Sequence, residues 1–278
     1  MKTRFVKLGM LTLALGTFLF TSCSKDEAVA DETTETSALT AEESQLTAEA
    51  DETTDASFNM IDIAYAEVEE EAGRNLSYFP DCVTITISME NGVKFVTLDF
   101  GLGCELRNGA IVSGIVNLTY VPSQAATLTI TFAFDNFVYN DKAVAGGGSI
   151  FRERNNVNGN PQSTVDKDLV ITYPSGTTAD VTGTRVAEWI EGVGSGTWVD
   201  NAFLVTGNRD IDVSTGFTHS AIVTEALRRE ATCPFFVSGV IDITRNNGEG
   251  SLDYGEGVCD NLATLIVNGE EYTIILNR

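Results

Sequence analysis

The chain has 278 residues, 43% of them hydrophobic, and carries 40 Asp and Glu against 17 Lys and Arg, for a net charge of -23. That balance opposes docking on nucleic-acid phosphates, which needs a basic footprint, and on anionic lipid surfaces. Neutral or cationic ligands and divalent cations remain compatible with it.

Lys2, Arg4 and Lys7 precede a mostly apolar run from Leu8 to Phe20. The run is too short to span a bilayer and reads as a secretory signal. It ends in Phe18-Leu19-Phe20-Thr21-Ser22-Cys23. The small pair before the cysteine resembles the lipobox of bacterial lipoproteins, with Phe20 in the slot where that family usually has Leu. The resemblance implies that residues 1–22 are removed and that Cys23 becomes a lipidated N-terminus. Each methylene buried in the bilayer contributes about 0.8 kcal/mol, so two or more acyl chains give a stable anchor where one is marginal. The competing reading is a secreted protein cut near Ala30. Lys25-Asp26-Glu27 also resembles the export signal of Bacteroidetes-type surface lipoproteins, which implies the outer membrane and its exterior face.

Residues 24–55 alternate Asp and Glu with Thr, Ala and Ser, contain Lys25 as their only base and have no aromatic residue. This composition predicts a disordered acidic tether from Cys23 to Asp55, because it offers little apolar area to offset the entropy of ordering. A single β-rich domain is then expected over residues 56–278. It opens with a short helix from Ser57 to Gly73, where Phe58, Ile61, Tyr65, Val68 and Ala72 recur at helical spacing.

From Cys82 the period changes to two. Val83, Ile85 and Ile87 alternate with Thr84, Thr86 and Ser88; Asn91-Gly92 is a tight-turn pair; Val96, Leu98 and Phe100 resume the alternation. Comparable runs lie at Val116–Tyr120, Leu128–Phe134 and Leu169–Tyr173, and a last hairpin turns at Asn268-Gly269. Between Phe134 and Phe137 the phase slips across Asp135-Asn136, as a β-bulge would make it. The expected fold is all-β: an antiparallel meander of long hairpins, forming a sandwich or a curved half-barrel.

Two internal echoes run through this region. Val112-Ser113-Gly114, Val181-Thr182-Gly183, Val205-Thr206-Gly207 and Val237-Ser238-Gly239 share one pattern, with Ala145-Gly146-Gly147 a weaker copy. Thr97-Leu98-Asp99-Phe100-Gly101-Leu102-Gly103-Cys104 matches Ser251-Leu252-Asp253-Tyr254-Gly255-Glu256-Gly257-Val258-Cys259. An earlier cysteine, Cys82 or Cys233, precedes each frame. Four cysteines allow three connectivities, and the duplicated frame favours Cys82 with Cys104 and Cys233 with Cys259. A four-cysteine metal site lacks the close Cys-x-x-Cys pairs it would need.

Chemistry-bearing motifs are few. His219 is the only histidine and lies in a strand pattern in phase with Phe217, Ala221 and Val223, which suits a packed residue better than a catalytic one. No Gly-x-Ser-x-Gly elbow accompanies it. Asp99 and Asp253 occupy equivalent places in the two frames. They suit hydrogen bonds within their own turns, or an oxygen-ligand Ca²⁺ site joined by Glu105, Glu256 or Asp260. Trp189 and Trp198 flank a glycine-rich stretch and suit either the core or a sugar-stacking platform.

As a whole the chain resembles all-β surface lipoproteins of the Bacteroidetes type. The resemblance implies a location and assigns no residue beyond Cys23. The expected function is a non-catalytic module, ligand-binding or structural, held to the membrane by lipid and needing no cofactor. A glycan or small extracellular molecule is the expected partner. A lipid carrier and a carboxylate-based hydrolase are the alternatives.

Overall fold

The computed structural model describes residues 41–70, 77–245 and 248–276. Cys23 and its signal lie outside the described residues, as does the expected end of the helix at Gly73. The body is all-β, with one long helix. Helix α1 spans Ala41–Tyr65 and continues into a π-helical turn at Ala66–Glu70. Fourteen strands follow: β1 (Thr84–Glu90), β2 (Val93–Asp99), β3 (Cys104–Glu105), β4 (Ile111–Tyr120), β5 (Thr127–Tyr139), β6 (Lys142–Glu153), β7 (Gln162–Thr172), β8 (Thr178–Glu191), β9 (Ala202–Val213), β10 (Thr218–Glu230), β11 (Phe236–Arg245), β12 (Gly248–Glu256), β13 (Leu262–Val267) and β14 (Glu270–Ile275). They form one antiparallel sheet in chain order, except that the short β3 pairs with β4 off the main path. The sheet does not close. Strands β1 and β14 are its edges.

Tight turns set the meander. Asn91-Gly92 and Asn268-Gly269 both have positive φ at their two central residues, the geometry that matches the right-handed twist of the flanking strands. The predicted bulge at Asp135-Asn136 is present: Asn136 has φ 48°, and the β5–β6 register shifts between Ala133 and Val138.

The helix departs from expectation. Predicted as a short element beginning at Ser57, it begins at Ala41 and runs 25 residues, about 38 Å at 1.5 Å per residue. The second half of the expected tether, Ala41 to Asp55, is therefore helical. Every residue from Thr47 to Ala66 is buried. A helix buried on all sides needs walls on all sides, and α1 touches β6, β7, β8 and β14. The sheet thus curls around its own N-terminal helix. Apolar burial comes from Phe58, Ile61, Ile63 and Tyr65 in the second half of α1, packed on inward residues such as Phe132, Tyr120 and Val116. Composition misled for the first half, because its acids find partners on the strands rather than water.

The recurring glycine pattern supplies the curvature. All five glycines have positive φ, from 83° at Gly114 to 130° at Gly207. The clearest pair is Gly183 in β8 and Gly207 in β9. A Cβ at Gly183 would lie 2.5 Å from the carbonyl oxygen of Asn208, and one at Gly207 would lie 2.0 Å from that of Thr184. Backbones this close leave no room for a side chain, and the kinks they make bend the sheet. Gly183 pairs with Lys167 in β7, and Gly207 pairs with Arg185 in β8, so each kink sits beside an inward cation.

Candidate functional site

The interior of the curled sheet holds an extended seam of charge. Acids come from α1 and bases from the strands. Glu43 pairs with Arg245 at 2.7 Å, Glu49 with Lys142 at 3.8 Å, and Asp51 with Arg209. Glu52 pairs with Arg229 at 2.6 Å and also accepts a hydrogen bond from the Phe236 N–H at 2.9 Å. Asp55 bridges Arg229 and Arg185, the latter at 2.6 Å. Asp62 takes Arg185 at 3.2 Å, Arg152 at 3.7 Å and the Ser163 hydroxyl at 2.8 Å.

Helical geometry explains why these acids converge. Asp51, Asp55 and Asp62 are four and seven residues apart, so successive positions return to one face. Strand geometry does the same for the bases. Arg185 is in phase with buried Val181, Ala187 and Trp189, and Arg209 with Ile211 and Val213. Ring faces steady two of the guanidiniums: Arg229 lies 4.2 Å from the Phe236 centroid and Arg245 lies 4.4 Å from that of Phe217.

Burial and pairing compete along the seam. Burial pushes the Asp51 carboxyl up to about 6 although Arg209 opposes it, and pushes Glu52 up to about 7 against Arg229. Asp55 is equally buried, yet two guanidiniums outweigh the lost solvation and hold it below the usual carboxylate range. Lys167 falls to about 8 through burial and the nearby Arg209 charge.

A cavity of about 30 Å³ opens on this seam. Asp51, Thr54 and Asp55 line it from the helix, and Lys167, Arg185 and Arg209 from three adjacent strands. The site was invisible to a search for known motifs. Its signal was an inward-phased Arg or Lys on one strand after another, facing an acidic segment of helical length.

The residues singled out from sequence have different fates. Both cysteine pairs form as the duplicated frame favoured, Cys82–Cys104 with Cα atoms 5.7 Å apart and Cys233–Cys259 with Cα atoms 5.8 Å apart. Each ties the open foot of a hairpin, β1–β2 or β11–β12. Closing loops of 22 and 26 residues restricts the unfolded chain by roughly 3 to 4 kcal/mol apiece. Asp99 and Asp253 make the same turn: each Oδ1 accepts the N–H two residues on, from Gly101 at 2.8 Å and from Gly255 at 2.7 Å. Among the described residues no group of three or more His, Cys, Asp or Glu side chains is placed to hold a metal ion. Trp189 and Trp198 are 1% and 6% exposed, so neither presents a face for a sugar. Trp189 stacks on Phe203, and Trp198 meets Tyr78 edge-on.

His219 is buried beside Phe217, and no protein group bonds either ring nitrogen. Burial, with Arg209 and Arg245 nearby, lowers its pKa to about 3. An unfolded histidine near 6.5 binds the proton that the folded one refuses, so His219 costs stability as pH falls from 6.5 toward 3. Asp51 and Glu52, with raised folded values, change stability in the opposite sense between about pH 4 and 7. Comparing two proteins that differ only at residue 219 cancels that contribution. His219→Leu should therefore gain on wild type by a few kcal/mol between pH 7 and pH 4 in urea unfolding. An unchanged gap would show that the imidazole is protonated in the folded state.

Comparison with protein-family models, with curated proteins and with solved structures finds no match to this chain.

Proposed function

We propose that the chain is a lipid-anchored lipoprotein of the outer membrane, facing the cell exterior, whose β body is a non-catalytic ligand-binding or structural module. The observation that carries the reading for the body is the filled interior. A lipid carrier of this architecture would need an apolar cavity between strands and helix, and α1 occupies that space with paired charges. A hydrolase using carboxylates would need two of them facing a substrate-sized cleft. Here the buried carboxylates of the seam face guanidinium or ammonium groups, while Asp99 and Asp253 bond their own turns. The anchor rests on the Thr21-Ser22-Cys23 junction after its apolar run. No helix among the described residues is long and apolar enough to cross a membrane.

Metabolic labelling with a fatty-acid analogue tests the anchor. Wild type is expected to be labelled and Cys23→Ser to lose essentially all label. Equal labelling of the two would remove the anchor from the proposal. Non-covalent acyl chains extracted from the purified protein would favour the carrier instead. A glycan and small-molecule binding array, run with and without Ca²⁺, then addresses the ligand.

A further inference from the structure

The seam is not balanced at its cavity. Asp51 is engaged by Arg209, and Asp55 is shared between Arg185 and Arg229. Lys167 lines the same space and forms no ion pair with any described residue. Its position in β7 is inward, in phase with buried Val165 and Leu169. Arg185 and Arg209 have side chains only 3% and 4% exposed, yet the Nη2 atom of each has no protein partner. Buried guanidinium N–H groups are costly to leave unpaired.

Three cations and two carboxylates line this space, Asp62 beyond the lining also engages Arg185, and Lys167 is the cation left without an ion-pair partner. We propose that this cavity is a binding site for a small monovalent inorganic anion of about chloride size, held by Lys167, Arg185 and Arg209. A water molecule needs roughly 10 to 15 Å³ by this measure of volume, so about 30 Å³ accommodates one such ion together with a water. The accompanying water donates to Asp51 Oδ2, which also lacks a protein partner. Water alone would satisfy hydrogen bonds but leave Lys167 without a direct counter-ion, with only the longer-range attraction of Asp51 and Asp55.

The wall provides a way in. The β9–β10 ladder is interrupted between Ile222 and Leu227 of β10, beside the Gly207 kink of β9. Thr206, Asn208 and Val223 at this break also line the cavity. The break joins the seam to the outer surface without opening the sheet.

The experiment is thermal unfolding of the full-length protein at constant ionic strength in sodium chloride, sodium bromide and sodium gluconate, whose anion is several times larger than chloride. Tm is expected to rise saturably with chloride and bromide, by about 5 °C or more at 100 times Kd, and not with gluconate. Lys167→Met is expected to abolish the dependence on chloride. Bromide-soaked crystals of the wild type should show an anomalous peak within contact distance of Arg185 and Arg209. A Tm independent of the anion, an unchanged chloride dependence in a folded Lys167→Met, or bromide found only elsewhere would overturn the site. Two of these readouts use wild type alone, so the test survives if the variant does not fold.

Discussion

Asp55→Ala is expected to destabilise the protein by about 3 to 5 kcal/mol, read as a fall in the urea midpoint. The reason is what it leaves behind. Asp55 bridges Arg185 and Arg229, both essentially fully buried, and its removal strips a counter-charge from each at once. Arg185 retains Asp62 and Arg229 retains Glu52, which keeps the loss below that of two wholly isolated charges. The contrast is Glu191→Ala. Glu191 makes a two-pronged pair with Arg228 at 2.9 and 3.0 Å, geometrically as good, but it is exposed and solvent screens it. That change is expected to cost under about 1 kcal/mol. Equal costs would mean that water reaches the seam freely. Replacing Glu52 and Asp55 together with Arg185 and Arg229 by apolar residues of similar volume removes two carboxylates with their two guanidiniums and leaves Asp62 with Arg152, so it should recover much of the loss, because the ions pay desolvation that hydrocarbon does not.

The sheet was legible in the sequence because its information is local. Alternation at Val96-Leu98-Phe100, turns at Asn91-Gly92 and Asn268-Gly269, and the slip at Asp135-Asn136 each depend on a few adjacent residues, and each stands where expected. The cysteine pairing was legible because duplication repeats a hairpin foot. The first half of the helix was not, for a physical reason. A segment such as Ala48-Glu49-Ala50-Asp51-Glu52-Thr53-Thr54-Asp55 has the composition of a solvated linker, and what orders it is a set of arginines 100 or more residues away. Local composition registers the acids and not the bases that neutralise them. The missed clue lay on the strands, where Arg152, Arg185, Arg209 and Arg229 each fall in the phase of core residues. An inward-phased cation in a packed sheet requires an acid from somewhere, and the N-terminal segment held the densest supply.

The glycine pattern also carried more than it first showed, since its uneven spacing follows the sites where neighbouring backbones approach rather than a repeat unit. Gly207→Ala is expected to be among the most damaging single-methyl changes in the chain, at about 3 kcal/mol or more. Two costs combine. The backbone at φ 130° lies where L-residues rarely sit, and the new Cβ would lie 2.0 Å from the Thr184 carbonyl oxygen, a backbone atom that no rotamer change can move aside. Gly159→Ala separates the two. Gly159 has φ 85° with nothing within 4 Å of the added Cβ, so it carries the left-handed penalty alone, about 1 to 2 kcal/mol. Because Gly207 faces Arg185, the push from the added methyl should also disturb the Arg185 pairs with Asp55 and Asp62. The damage is then expected to be less than additive with Asp55→Ala, by an amount a double-mutant cycle measures. Equal costs for the two glycine changes, together with strict additivity, would mean that the kink bends the sheet without seating the charge seam.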